Sequence, residues 1–467
     1  MALAEPAART AVRGREQLLC GWGGTSRSRA RVIRPRSAED IAEVLARTRG
    51  AIARGAGRSY GDAAQIEGGD VLDMTALEGI LSIDRERRLI TAQAGATVAQ
   101  LMVALAANGL TLPVVPGTRH VTLAGAIASD VHGKNHHRDG GMARHVAALS
   151  LCTPGGACLE VSPESDPELF YATLGGMGLT GVIVQATLRA EPLAAPWVSV
   201  DVDRTDSLEQ TLASLAGEEC HRYSVAWVDL LAEGPQLGRA VVSRADPWPF
   251  AQAVPPPQGS RRGDSGLSRH AALEVPRGFP AALLRPSGIR AFNALRWRAA
   301  PRCERERPLA LAPYFFPLDA LGAWNRLYGV AGLIQYQFVV PSGQEAALTR
   351  CVQLLRLRRV PVYLAVLKRL GCAFGGPLSF PLEGWTLAVD LPAAAPGLGS
   401  ALDELDGVVA GCGGRVYLTK DARLRSEALR AMYPELERFH ALRARIDPNG
   451  VLRSDLALRL GLCEAAR

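Results

Sequence analysis

Three of the eight histidines and one lysine fall within Asp130–His137, DVHGKNHH. A cluster of this kind admits three chemistries: a metal site, an anion-binding loop, or the wall of a cofactor pocket. A metal needs ligands that converge. His136 and His137 are adjacent, so on a strand they point to opposite faces, and only Asp130 and Asp139 stand close enough in the chain to complete a set. The expectation is no metal. His132 and Lys134 are left as groups able to hold a proton or a charge beside a bound molecule. Lys368 in VYLAVLK and Lys420 in YLTKDAR are further amines outside any basic run. Without a pocket around them, all three lysines read as solvated surface residues, and Tyr60 and Tyr314 as ordinary core aromatics. Gln335 and Gln337, in LIQYQFVVP, share one strand face with Val339 by their i, i+2 spacing. Two amides on one face of an apolar strand need polar partners, which favours a pocket.

Three glycine-rich stretches surround these residues. The first, RGAGRSYGD (Arg54–Asp62), is a glycine turn after a strand, where backbone N–H groups can approach an anion closely. No Gly-Lys-Ser/Thr follows, so it is not a Walker A loop, and the spacing after Gly57 fails the dinucleotide fingerprint. The second, PGTRHVTLAGAIASDVHGKNHH (Pro116–His137), carries Gly117, Gly125 and Gly133 among small residues in apolar text. Small side chains there leave backbone open to something flat or charged. The third, LGGMGLTGVIVQATL (Leu174–Leu188), leads into a strand.

The elements that hold these stretches are α+β in character. RVIRPRSAEDIAEVLARTRG gives a strand, then an N-cap at Ser37 and a helix with Ile41, Val44 and Leu45 at helical spacing. Strands follow at GDVLDM, GILSID and RLITAQAG, and TVAQLMVALAANGL is a helix. Strands and helices mix without strict βαβ alternation, which argues against a doubly wound sheet. Residues 1–24 read as a flexible tail, 25–193 as the domain of the glycine turns, and 194–414 as a second α+β domain with an antiparallel sheet. Residues 244–274, rich in Pro, Gly, Ser and Arg, form a loop too long for a simple connection. Residues 415–467 form a C-terminal segment with a strand at RVYLT, then Lys420-Asp421, then helical text.

The chain has 467 residues, 48% of them hydrophobic, enough for two or three cores. A net charge of +7 suits an anionic ligand or surface, but the arginines are scattered without a basic-aromatic stripe, which argues against nucleic acid. The nine cysteines include no C-x-x-C pair and are expected to be reduced, mostly buried thiols. No window offers the ~20 apolar residues of a membrane span, and the N-terminus lacks the apolar core of a secretion signal. The expectation is a protein of the cytoplasm or the inner membrane surface, with the periplasm or cell envelope as the alternative.

The three glycine turns, in this order, resemble the FAD-binding domain of the vanillyl-alcohol oxidase / p-cresol methylhydroxylase superfamily. ARGAGRSYGD, DMTAL, LPVVPGTRHVTLAGAIASDVHGKNHH, ELFYATLGGMGLTG, WNRLYGVAGLIQYQFVVP, PLSFPLEGW and YLTKDAR further resemble one family within it, the decaprenylphosphoryl-β-D-ribose oxidases, over about residues 25–460. The resemblance implies FAD held by Arg54, Gly55, Gly57, Arg58, Ser59, Tyr60, Gly61, Gly117, Thr122, Leu123, Ala124, Gly125, Ser129, Asp130, His132, Ile183 and Tyr417. It implies a non-covalent flavin, because Arg58 stands where covalent members usually carry His. Lys420, His132 and Tyr60 are the implied catalytic residues, with Lys420 or His132 as the base. Lys134, Tyr314, Gln335, Gln337, Lys368, Thr386 and Ala388 are the implied substrate pocket. The implied reaction oxidises the 2′-hydroxyl of a polyprenylphosphoryl-pentose. A separate NAD-dependent short-chain reductase then completes the epimerisation that supplies arabinose to the cell wall, and association with a membrane surface follows from the lipid. Two other readings stay open: an oxidase of soluble polyols or aldonolactones, and a flavin-binding subunit without turnover.

Two departures stand out in GWTLAVDLP. The family has Asn where this chain has Thr386, and Cys where it has Ala388. The family cysteine is attacked by covalent nitroaromatic inhibitors, and Ala388 carries no nucleophile. Intact-mass measurement after exposure to such a compound is expected to show no adduct; an adduct on the peptide containing Ala388 would refute this.

Overall fold

The structure, a computed structural model, describes residues 13–217, 220–249, 267, 273–280 and 284–463. Most of the expected 244–274 loop, residues 250–266 and 268–272, lies outside the described residues.

A four-stranded sheet in the order β1 (Arg15–Cys20), β2 (Arg27–Ile33), β4 (Asp70–Asp73) and β3 (Ala51–Arg54) carries the first glycine turn at the end of β3. Residues 1–12 of the expected 1–24 tail lie outside the described residues, and β1 corrects the rest: its six residues pair antiparallel with β2 in unbroken register, satisfying a row of β2 backbone groups that would otherwise be unpaired. The helix α1 (Ala38–Arg47) is capped as expected. Ser37 accepts the Asp40 N–H at 3.2 Å, and Ile41, Val44 and Leu45 are buried. A five-stranded sheet follows in the order β5 (Ile80–Asp84), β6 (Leu89–Gln93), β10 (Val182–Arg189), β8 (Val146–Cys152) and β9 (Cys158–Val161). α2 (Val98–Ala106) and the short α3 (Leu123–Ala128) pack on it, while β7 (Leu110–Thr111) pairs with β11 (Glu191–Pro192).

The cysteine expectation is corrected on the second sheet. Cys152 and Cys158 are direct cross-strand partners in the β8–β9 hairpin and form a disulfide, with Cα atoms 4.2 Å apart. Of the seven free cysteines, Cys220, Cys303 and Cys372 are exposed and only Cys351 is fully buried.

The largest sheet has eight strands in the order β16 (Cys303–Ala310), β12 (Trp197–Thr205), β14 (Ala240–Pro247), β13 (Tyr223–Val228), β19 (Leu364–Leu370), β20 (Gly384–Pro392), β18 (Leu333–Pro341) and β21 (Arg415–Val416). A small parallel pair, β15 (Leu273–Glu274) and β17 (Leu321–Gly322), lies beside it. Neighbouring strands of the eight-stranded sheet pair antiparallel throughout. One face of its centre buries Tyr336, Phe338 and Val340, Leu387 and Val389, and Ala365 and Leu367 in a core shared with helices at 345–357 and 398–411. By strand alternation, the intervening residues must face the other way.

The chain after β21 ties the large sheet to the glycine turn. The Tyr60 N–H donates to the Thr419 carbonyl at 3.0 Å, and Ala51 bridges in parallel to Leu452. Arg459 clamps the junction. Its guanidinium donates to both Asp62 oxygens at 2.7 and 3.0 Å and to Asp421 at 2.9 Å, and both carboxylates are nearly inaccessible to water. Replacing Arg459 by Met leaves two buried carboxylates without their cation. The expected cost is about 3 kcal/mol, read as a lowered thermal midpoint for R459M; an unchanged midpoint would refute the clamp.

Candidate active site

The outward-facing residues of the central strands form a grid. The register sets Gln335 opposite Asp390 and Asp390 opposite Leu364; Gln337 opposite Ala388 and Ala388 opposite Val366; Val339 opposite Thr386 and Thr386 opposite Lys368. Gln335, Gln337, Leu364, Val366, Lys368 and Ala388 form one wall of a long cleft. The glycine turns form the other wall through Gly55, Gly57, Arg58, Ser59, Tyr60, Gly117, Thr122, Ala124, Gly125, Ser129, His132 and Ile183. Tyr417 and Lys420, from the turn after β21, sit where the walls meet.

Two hydrogen-bond chains hold the polar groups. In the first, Gln335 Nε2 donates to Tyr60 Oη at 3.1 Å and to Asp390 Oδ1 at 2.5 Å. In the second, Thr386 Oγ1 donates to the Phe338 carbonyl at 2.9 Å. Its single hydrogen is thereby committed, so it accepts from Gln337 Nε2 at 3.1 Å. Gln337 Nε2 also lies 2.9 Å from His132 Nε2. With the amide nitrogen facing the ring, His132 Nε2 is the acceptor and its proton sits on Nδ1. Thr386 therefore lies behind the wall and sets the histidine tautomer through Gln337.

The amines are desolvated. Burial pushes Lys420 down to about 7, with Asp390 opposing and Lys368 adding to the shift. Lys420 Nζ lies 4.0 Å from the centre of the Tyr60 ring, a cation–π distance. Burial lowers Lys368 to about 8, and its Nζ reaches the Gly133 carbonyl at 3.4 Å. His132 is held well below its usual range by burial, then by Lys368, His136 and Lys420, so it is neutral. Burial raises Tyr60, and the Asp390 charge adds to this.

The remaining sequence candidates lie off the cleft wall. Arg54 donates to the Ala64 and Cys20 carbonyls at 3.0 and 2.8 Å and braces the glycine turn from behind. Leu123 belongs to the core. Asp130, at a φ of +39°, accepts from Ser379 and from the Ala143 N–H at 2.9 Å. Lys134 lies over the Tyr314 ring at 3.9 Å and donates to the Tyr314 carbonyl. Gly61 is packed against Asp421. His136 and His137 are not on a strand: they open a helical turn, α4 (His136–Asp139), that follows Asn135, whose side chain donates to the Pro113 carbonyl at 2.8 Å and to Asp139 at 2.6 Å. Among the described residues, no three His, Cys, Asp or Glu side chains gather as a metal site.

Several wall or near-wall residues escaped the sequence reading, Leu364 and Val366 among them. Trp22 stacks under the Arg58 guanidinium at 4.1 Å, while Trp324 and Asp319 line the cleft. Asp390 had a signal, because it continues the i, i+2 series of Thr386 and Ala388.

Residues 30–162 match the family model of an FAD binding domain, and 399–460 match that of D-arabinono-1,4-lactone oxidase. The chain is 40% identical over 452 residues to decaprenylphosphoryl-β-D-ribose oxidase of Mycolicibacterium smegmatis, covering 95% of this chain and 97% of that one. The chain belongs to the decaprenylphosphoryl-β-D-ribose oxidase family. It is also 41% identical to an uncharacterised protein of Streptomyces coelicolor over 76% of this chain and 96% of that one. With L-gulono-1,4-lactone dehydrogenase of Mycobacterium tuberculosis it shares 26% over 92% of this chain and 95% of that one. The protein is an FAD-dependent oxidoreductase of α+β fold.

The cleft fits that cofactor. The N–H groups of Ala56, Gly57, Arg58 and Ser59 make no hydrogen bond among the described residues, a row suited to a diphosphate. His132 Nδ1 and Arg58 Nε are buried without partners among them. A Cβ at Gly117 would meet nothing within 4 Å, so its backbone is open to a flat ring. At Gly61, by contrast, a Cβ would stand 1.9 Å from the Asp421 carbonyl. Gly61→Ala must displace the turn bearing Lys420, and the dissociation constant for FAD is expected to rise roughly tenfold, about 1.4 kcal/mol, in a fluorescence titration. Unchanged affinity would contradict this placement.

Proposed function

We propose that the protein oxidises the 2′-hydroxyl of a polyprenylphosphoryl-β-D-ribose to the 2′-keto sugar. The amine of Lys420 at the junction of the two cleft walls carries this reading. Bound FAD supplies the hydride acceptor for the carbinol C–H. The Lys420 amine takes the hydroxyl proton, since its lowered pKa leaves a substantial neutral fraction near pH 7. His132 orients: its Nε2 is occupied by Gln337, so it cannot receive a second proton there. The hydroxyl of Tyr60 and the amides of Gln335 and Gln337 position the sugar, and the Lys368 charge favours the phosphate end.

The flavin is held non-covalently in this reading, because Arg58 is not a nucleophile. Among the described residues no helix is long and apolar enough to cross a membrane; the +7 charge supports a peripheral encounter with an anionic membrane that carries the lipid substrate. The keto sugar is then the substrate of a separate NAD-dependent short-chain reductase.

The test is anaerobic mixing of the FAD-loaded protein with a polyprenylphosphoryl-ribose, followed near ~450 nm. The flavin bands are expected to bleach, at a rate that rises as pH increases through about 7, since Lys420 acts as the neutral amine. Bleaching by free polyols alone, or no bleaching, would defeat the proposal.

A further inference from the structure

Asp390 is the buried carboxylate of the grid, and the chemistry described above does not use it. Its side chain is 1% exposed. Oδ1 accepts from Gln335 at 2.5 Å, whereas Oδ2 makes no hydrogen bond among the described residues. A carboxylate is expensive to bury half-satisfied, so its place in this wall calls for a compensating role. Two features of its surroundings supply one.

The first is directional. Burial raises Asp390 to about 6, against the Gln335 hydrogen bond and the Lys420 charge; near pH 7 it is therefore ionised and can only accept, which obliges Gln335 to turn its amide nitrogen inward. The second N–H of that nitrogen then points to Tyr60 Oη at 3.1 Å. Tyr60 Oη is an acceptor in this bond, which leaves its own hydrogen free to donate toward the cleft. Gln335 Oε1, which makes no hydrogen bond among the described residues, is left as an acceptor on the wall. Without the carboxylate the Gln335 amide can flip, Tyr60 can donate to it, and both groups present the wrong polarity to a sugar.

The second is electrostatic. The charged groups acting on Lys420 are Asp390 from β20 and Lys368 from β19, and the Tyr60 ring faces its amine. Asp390 is the anion among them, and its charge also acts on Tyr60 and Tyr328. Its charge opposes the desolvation of Lys420, whose amine rests on the Tyr60 ring that Asp390 reaches through Gln335.

We propose that Asp390 is a positioning residue for the hydroxyl oxidation, an inference that rests on the function proposed above: through Gln335 it holds the Tyr60 hydroxyl as a donor into the cleft, and it is the counter-charge that seats Lys420. Asp390→Asn keeps the volume, removes the charge, and presents a donor as well as an acceptor to Gln335, so that the Gln335 amide is no longer held in one orientation.

Two readouts on FAD-loaded protein test this. The first is single-turnover flavin bleaching by polyprenylphosphoryl-ribose. The second is labelling of Lys420 by acetic anhydride as a function of pH, quantified by mass spectrometry, which needs no sugar. D390N is expected to retain FAD, to bleach about tenfold more slowly at saturating substrate, and to lower the Lys420 labelling midpoint by roughly half a pH unit or more. Asp390→Glu, which restores the charge, is expected to return the midpoint toward the wild-type value. A purely structural role predicts lost FAD with an unmoved midpoint, and that result, or an unchanged bleaching rate in D390N, would overturn the inference. If wild-type flavin does not bleach, the substrate reading fails, while the labelling midpoint alone decides Asp390. Should D390N not fold, Gln335→Met severs the link to Tyr60 and is expected to slow bleaching to a similar degree; unaltered bleaching in Q335M would overturn the directional half.

Discussion

The antiparallel register of β19, β20 and β18 is the constraint from which the site follows. Once Gln337 is set opposite Ala388, and Ala388 opposite Val366, strand alternation commits every second residue to the cleft and the intervening ones to the core beneath. A slip of one residue would bury the glutamines and Lys368 in that core and turn Phe338, Leu387 and Leu367 toward the cleft. The apolar face specifies the register strongly, since those residues share a core with two helices. The packing of the hidden side thus determines the polar pattern of the visible side.

Electrostatics then acts on that pattern. Lys420, Lys368 and Lys134 are brought into a region where desolvation lowers all three, and Asp390 opposes the shift at Lys420. Desolvation is what converts a lysine from a surface ammonium into a group that can exchange a proton near neutral pH. The departure at Thr386 keeps the geometry coherent: a hydroxyl bonded to a backbone carbonyl still presents a defined acceptor to Gln337, and so still defines the histidine tautomer.

Much of this was legible in particular residues. The glycines of RGAGRSYGD announced a backbone approach because few other residues allow it, and Gln335 and Gln337 announced a polar face because amides on an apolar strand need partners. Other residues were not legible. Lys134 read as a pocket lysine, but the Tyr314 carbonyl and ring cap its ammonium. Trp22 lay in the supposed tail, and its place under Arg58 is held by a contact distant in sequence, its N–H donating to the Ser59 carbonyl at 2.7 Å. His136 and His137 read as strand residues, yet the Asn135 side chain, anchored to Pro113 and Asp139, precedes a helical turn there. The cysteine reading failed for Cys152 and Cys158, because no spacing rule anticipates a hairpin that makes them direct partners.

By itself the sequence determined what depends on near neighbours along the chain: the caps, the alternation of each strand, the glycine turns, and the residue types available to an FAD-binding oxidoreductase. The tertiary structure decided which faces meet. Gln335 and Asp390 are 55 positions apart, Gln335 and Tyr60 275, and Arg459 and Asp62 397. Contacts at such separations follow from sheet register and buried ion pairs, and the lowered pKa of Lys420 follows from the water these contacts exclude. Neither is encoded in local spacing, because burial is a property of the assembled walls and not of any one segment.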